Sequence, residues 1–337
     1  MTWDILEVQG YPEAAQVFLL SSAGRPPGHW AECVDARDPR YPRAEKWCVI
    51  VSSQFGCPVG CLMCDAAAEF RGSLSAEEIL GQVQIVMERH RHDGGWDCPK
   101  IKVHFARMGE PSLNPAVLEV LRQLPARYPG AALLPVVATV APAAASRWFE
   151  ELARVKREHY AGGRFQLQFS VNSTDEVERD RLMPVRKWRM PDMARFGEAW
   201  HAPGDRKVTL NFALAEETPF EPAAIAALFD PDRFLVKLTP VNPTAAARET
   251  GLVSALGFEE AKGLPARLGQ AVERLKAGGF TVIVSIGSAE EVAIGSNCGQ
   301  MVRLRRGSSA VREQVSRGVG EQGAGLPSKA GGEEVRK

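Results

Sequence analysis

From Cys48 onward the chain alternates short β-rich runs with amphipathic helical patterns at intervals of roughly 30 residues, and that rhythm restricts the fold more than any other feature. The strand-like runs are Cys48–Ser53, Lys100–Arg107, Leu133–Val140, Arg164–Asn172, Lys207–Leu214 and Arg233–Val241, with a seventh at Phe280–Gly287. Between them lie helical patterns. Ser75 with Glu78 has the form of a capping box and opens a helix at Ala76. PAVLEVLRQL, SRWFEELARVKREH and FEEAKGLPARLGQAVERLKAGG place apolar residues at i, i+3, i+4 and i+7, and the last ends on a Gly278-Gly279 stop. Such alternation implies βαβ units and a parallel sheet with right-handed crossovers. Six units fit an incomplete barrel or an open doubly wound sheet, and the pattern does not choose between them. There is no GxxxxGK[ST] loop and no GxGxxG after the first strand, so neither nucleotide fingerprint is present.

The 337 residues carry 41 Lys+Arg against 41 Asp+Glu, with 45% hydrophobic and 24% charged residues. That is ordinary for a globular protein and argues against a fold that holds nucleic acid by bulk positive charge. The neutrality hides an asymmetry. Arg303–Lys337 holds eight basic and four acidic residues, so this end carries +4 and residues 1–302 carry −4. From Gly307 the chain is rich in Gly, Ser and charge and lacks aromatics, which predicts a disordered tail. No run of 18 apolar residues predicts a membrane span. The N-terminus MTWDILEVQGYPEAAQ lacks the basic and apolar regions of a signal peptide. The expected location is therefore cytoplasmic and reducing. Seven cysteines there point to metal ligands, catalytic groups or buried thiols rather than to a disulfide framework.

Three of those cysteines carry the chemistry. Cys57, Cys61 and Cys64 stand in C-x3-C-x2-C spacing directly after the first strand, on a loop that Gly56 and Gly60 allow to turn tightly. Three thiolates on one short loop suit three corners of an iron–sulfur cubane, which leaves one iron open to a further ligand. The alternatives are a structural zinc site, which wants a fourth Cys or His at close spacing, and simple buried thiols.

This spacing resembles the signature of the radical S-adenosylmethionine (SAM) superfamily. The resemblance implies a [4Fe–4S] cluster on Cys57, Cys61 and Cys64 that chelates SAM, and an electron donor such as flavodoxin or ferredoxin. It also implies an α/β fold with a partial (β/α)6 barrel, which resolves the choice left open by the pattern. Gly109 and Glu110 of MGEP end the second strand, where the superfamily contacts the SAM amino group. Ser170 and Asn172 end the fourth strand, at a ribose or carboxylate position. Turn chemistry and a helix N-cap by Ser173 or Thr174 are the plain alternative for that segment. All these motifs fall at the C-terminal ends of strands, the functional face of α/β barrels.

A narrower resemblance is to the RlmN/Cfr-type methylases of ribosomal RNA adenosine. It is carried by SSQFGCPVGCLMC, GQV (Gly81–Val83), MGEPSLN, SVNSTDEVERDRLMP and SNCGQM. It implies a methyltransferase that carries the methyl group on Cys298, with RNA as substrate. Cys48 lies two residues before the position of the family's second cysteine, which is Ile50 here. Strand residues two apart share a face, so Cys48 is a candidate for that role some 6–7 Å further from the barrel mouth. Other departures are Asn172 for the family's histidine, the absence of VND after the fifth strand, and the absence of the N-terminal helical accessory domain. The expected organisation is a short N-terminal β extension (1–47), a radical SAM core with the C-terminal Cys loop (48–302) and the tail (303–337). RNA contacts would fall to Arg179, Arg181, Arg186, Lys187 and Arg189, with Trp188 stacking, or to Arg303, Arg305 and Arg306. A solvated helix face with a core tryptophan is the alternative there. Two other functions fit the motifs: a radical SAM enzyme acting on a peptide or small molecule, and a non-catalytic iron–sulfur protein.

Overall fold

A computed structural model describes residues 2–37, 41–92, 95–257, 263–286, 294 and 299–307. Three antiparallel strands come first, β1 (Trp3–Tyr11), β2 (Ala15–Ser22) and β3 (Trp30–Arg37), forming the expected β extension. β3 pairs antiparallel with β4 (Trp47–Val51). From there the strands run parallel and in chain order: β5 (Ile101–Phe105), β6 (Leu133–Thr139), β7 (Gln166–Ser170), β8 (Val208–Leu214), β9 (Phe234–Pro240) and β10 (Thr281–Val284). The helices are α1 (Ala76–Glu88), α2 (Ala116–Arg127), α3 (Ser146–His159), α4 (Glu176–Leu182), α5 (Met190–Trp200), α6 (Pro222–Leu228), α7 (Ala245–Glu249) and α8 (Ala266–Ala277). A further helix spans residues 300–307.

Period-two burial decides which way each strand faces. In β4, Trp47, Val49 and Val51 pack toward the helices, while Cys48 and Ile50 point to the opposite side. β5, β7 and β9 repeat this alternation, with Lys102 and His104, Gln166 and Gln168, and Lys237 and Thr239 on the inner side. The inner sides enclose a cavity of about 530 Å³ lined from Val34 of β3 round to Ser285 just after β10. The sheet is thus curled into the partial barrel that the superfamily resemblance implies.

Local chemistry sets the helix ends. Ser75 and Glu78 make the capping box of α1, and Glu78 also accepts from Ser22 and Arg25 of the extension. Three expectations change. The pattern beginning at Phe258 yields a helix only from Ala266, because Pro265 is fixed at its N-cap; residues 258–262 lie outside the described residues. Asp175, rather than Ser173 or Thr174, caps α4 by accepting from the Glu178 amide at 2.8 Å. Residues 303–307, expected in the disordered tail, are helical, and the remainder of the tail lies outside the described residues. Among the described residues no helix is long and apolar enough to cross a membrane.

Candidate active site

The loop after β4 is clamped before it reaches the first cysteine. The Ser52 amide donates to Gln82 Oε1 at 2.8 Å, and Gln82 Nε2 donates back to the Ser52 carbonyl at 3.0 Å. The Ser53 amide donates to the Met108 carbonyl at 2.8 Å, and Gln54 Oε1 accepts from the Glu110 amide at 2.9 Å. SSQ, GQV and MGEP, far apart in sequence, therefore form one hydrogen-bonded unit. Beyond the cysteines, the Leu62 amide donates to the Leu182 carbonyl, Thr244 donates to the Met63 carbonyl, and Asp65 accepts from the amides of Ala245 and Ala246.

Cys57, Cys61 and Cys64 all line the cavity. Burial pushes the Cys57 and Cys61 thiols upward, and the neighbouring thiols add to it. A cationic centre reverses this, because it stabilises thiolates where solvent does not reach. Among the described residues no three His, Cys, Asp or Glu side chains close on the position of a single metal ion. The thiol-only donor set on one loop, at the wall of a cavity this large, fits an iron–sulfur cluster with an open coordination position.

Gly109 and Glu110 also line the cavity. Gly109 has φ +100, and a Cβ there would stand 2.6 Å from the Gln54 Cβ, so only glycine fits. Glu110 is buried. Its carboxylate accepts from the Ser112 amide (3.1 Å), Ser112 Oγ (2.7 Å), Thr139 Oγ1 (2.6 Å) and the Val140 amide (3.0 Å). Burial pushes this carboxyl upward against the pull of those four donors. Glu110 thereby ties the end of β5 to the end of β6.

Ser170 is on the cavity wall and Asn172 is not among the lining residues. Asn172 has φ +63, its Oδ1 accepts from the Ala213 amide at 3.1 Å, and its Nδ2 faces the Met183 sulfur. Cys48 shares the inner face with Ile50, but only Ile50 reaches the cavity lining. Cys298 lies outside the described residues. Gly299, the next residue, is described. A Cβ on it would stand 2.3 Å from the Ala66 amide nitrogen, so this backbone lies directly on the cluster loop.

Glu32 and Arg107 hold that contact, and sequence reading missed both. Glu32 is fully buried on β3. Its carboxylate accepts from the Gly299 amide at 3.0 Å and the Val302 amide at 2.9 Å, capping helix 300–307, and lies 2.5 Å from the Arg107 guanidinium. Arg303 bridges Asp65 and Glu249, and Arg306 pairs with Glu69. A glutamate inside the otherwise apolar stretch WAECV that opens β3 was the available signal.

The basic stretch after β7 is a correction. Arg179 is fully buried; it donates to the carbonyls of Val171 and Trp188 and pairs with Glu176. Lys187 is buried and pairs with Asp180; Arg181 pairs with Glu178, and Arg189 lies near Glu176 and Asp180. Trp188 packs on Phe149 at 4.4 Å and on Phe196. These charges hold α4 to α5, and the tryptophan belongs to the core.

No family model matches the chain. It is 30% identical over 314 residues to a Frankia alni protein named "Probable dual-specificity RNA methyltransferase RlmN", which covers 88% of this chain and 69% of the relative. The protein of that name from Synechococcus sp. (strain RCC307) is 26% identical over 79% of this chain and 72% of its own. For the one from Desulfitobacterium hafniense (strain Y51) the figures are 29%, 65% and 60%. Among solved structures, the chain resembles in fold the crystal structure of a radical SAM methyltransferase from Sphaerobacter thermophilus. The TM-score is 0.65 at 20% identity, covering 89% of this chain and 81% of that one.

Proposed function

The chain belongs to the RlmN-type radical SAM methyltransferases, and from that membership we propose that Cys298 carries the methyl group and presents it to an adenine ring carbon, with RNA as the acceptor class. The observation that carries the proposal is the seat of Gly299 on the cluster loop, fixed by Glu32. Gly299, the residue that follows Cys298 in the chain, lies against Asp65 and Ala66, next to Cys64. A [4Fe–4S] cluster bound by Cys57, Cys61 and Cys64 would supply the electron that cleaves SAM to the 5′-deoxyadenosyl radical. Cys298 attacks the methyl carbon of one SAM as a thiolate and releases S-adenosylhomocysteine. Its S-methyl group then loses a hydrogen atom to the radical from a second SAM and adds to the acceptor carbon. Gly109 lets the MGEP backbone approach SAM, and Ser170 offers a hydroxyl at the same cavity. Cys48 is the candidate thiol for resolving the Cys298 crosslink, from a position about 6–7 Å deeper than Ile50.

A second reading, a small-molecule acceptor, is favoured by one observation. Four of the five basic residues after β7, Arg179, Arg181, Lys187 and Arg189, are paired with carboxylates of the protein itself.

The test is anaerobic reconstitution with methyl-labelled SAM, followed by intact-mass and peptide analysis. Label is expected on Cys298 and absent from Cys298→Ala. 5′-Deoxyadenosine formed without any label on Cys298 would refute the carrier assignment. Cys57→Ala, Cys61→Ala and Cys64→Ala should each lose the cluster absorbance and all SAM cleavage. Mapping RNA from cells with and without the protein separates the two acceptor classes.

A further inference from the structure

A second pocket, of about 170 Å³, opens beside the barrel mouth between the exit of β8 and the start of α8. Ala215 on its wall is two residues beyond Ala213, which lines the main cavity, so the pocket begins about 7 Å further along the chain leaving β8. Ala215 bridges Ser254, and the Ala255 amide donates to the Leu214 carbonyl at 2.9 Å, which fixes this exit. On the facing wall α8 starts at Ala266 behind Pro265, which offers no side-chain acceptor, so the amides of the first turn are left uncapped.

Two side chains add to that helix end. Arg267 is exposed, its guanidinium donates to the Thr218 carbonyl at 3.3 Å, and it pairs with no carboxylate among the described residues. In this it differs from Arg179, Arg181 and Lys187, which are held by carboxylates of the protein. Thr218 is 3% exposed and lines the pocket, and its Oγ1 is buried with no hydrogen-bond partner among the described residues. A buried hydroxyl in that state carries a free-energy cost that a ligand acceptor removes. Glu216, exposed at the rim, is the one acidic residue on the lining. Uncapped amides, a guanidinium and a spare hydroxyl form a donor set that suits a tetrahedral oxyanion.

We propose that this pocket is a phosphate subsite that grips the backbone of the acceptor RNA beside the barrel mouth. Arg267 supplies the charge, while the first-turn amides of α8 and the Thr218 hydroxyl donate to the phosphate oxygens. A nucleotide whose base enters the cavity keeps its strand at the mouth, and the pocket lies at that level, on the face where the strands end. Such a contact positions a strand without reading its sequence. It also holds a polyanion by local donors, where residues 1–302 with a charge of −4 offer no bulk attraction. The assignment to RNA rests on the reading of RNA as the acceptor class. A free phosphorylated molecule is the other source of the same chemistry.

The experiment uses reconstituted, SAM-bound protein and two probes: inorganic phosphate by calorimetry, and a fluorescein-labelled oligoadenylate by anisotropy over a series of salt concentrations. Saturable binding of both is expected. Arg267→Met should weaken each about tenfold and lower the slope of log Kd against log salt for the RNA by about one. Arg267→Lys, which keeps the charge, should restore most of it. Thr218→Val should weaken phosphate binding about threefold with an unchanged unfolding midpoint, because the hydroxyl serves no partner among the described residues. Glu216→Gln should tighten both probes, and a weakening there would overturn the assignment of an anion. No saturable phosphate binding by wild type, or a phosphate affinity unchanged in a folded Arg267→Met, overturns the subsite. Phosphate binding lost in Arg267→Met with RNA affinity and salt slope intact overturns the assignment to the RNA backbone in favour of a free phosphorylated molecule. Phosphate held through Arg267 by a protein that binds no RNA refutes the RNA reading itself. Label on Cys298, read from the same samples, reports separately on the carrier assignment.

Discussion

Two arcs of the barrel wall face each other across the cavity, and their polar groups are used differently. On the arc beneath the cluster loop, Glu110 takes four donors, and Glu32 takes two amides and a guanidinium. On the arc of β7 to β9, Asn211 Oδ1 has no partner among the described residues, and Lys237 faces the cavity beside it. A buried polar atom that the fold satisfies maintains shape, whereas one left over is a place for a ligand atom. The first arc spends its polar atoms on joining β3, β5 and β6 and on seating the C-terminal helix. The second leaves a carbonyl oxygen over.

The sharpest way to break this comparison is to remove the frame. Glu32→Ala strands the Arg107 guanidinium inside the barrel and uncaps helix 300–307. A loss of about 3–5 kcal/mol in denaturant unfolding is expected from breaking such a buried pair. Methylation of Cys298 should fall with it, because the same carboxylate seats Gly299. A variant that kept its stability would show that the C-terminal helix is not held from β3.

The difference between the arcs also explains what sequence could show. The cluster arc is encoded locally. CPVGCLMC, MGEP and the Ser75–Glu78 box each group their residues within a few positions; the box forms as read, and the first two lie on the cavity wall. The arc of β7 to β9 joins residues 170, 211 and 237, which only strand register brings together. Its trace in sequence is weak but real. RFQLQFSVN, KVTLNFAL and RFLVKLTPV carry a polar residue at alternate positions, where strands covered on both faces would read as continuous apolar runs. Arg179 misled for the opposite reason. A charge on a short helix reads as solvated, and only the packed structure shows its guanidinium filling carbonyl sites of Val171 and Trp188.

The burial of Lys102 on the inner face of β5 can be tested by titration. Lys102 is lowered from 10.5 to about 8, chiefly by burial. Below pH 8 both folded and unfolded states hold the proton, and the full penalty of the buried charge applies. Between pH 8 and 10.5 the folded state releases a proton that the unfolded state keeps, so this group makes stability rise with pH. Lys102→Met should be more stable than wild type at neutral pH by up to about 3 kcal/mol, with the difference vanishing above pH 10.5. Parallel stability curves for the two proteins would place Lys102 in water and remove it from the lumen.

A smaller effect is expected at Ser112. Ser112→Ala removes one of the four donors to buried Glu110, which should cost about 1–3 kcal/mol in chemical denaturation. The loss should grow with pH, because the missing hydroxyl served the ionised carboxylate. No change would mean that Glu110 is protonated in the folded protein.

The smallest effect on stability is the most informative about the comparison. Asn211→Leu is nearly equal in shape and removes a buried carbonyl oxygen that has no partner, together with a long contact to Thr239 at 3.5 Å. Removing an unsatisfied buried polar atom is neutral or favourable, so unfolding should shift by no more than about 1 kcal/mol in either direction. A large destabilisation would make Asn211 part of the frame after all, and the two arcs would then differ in position only.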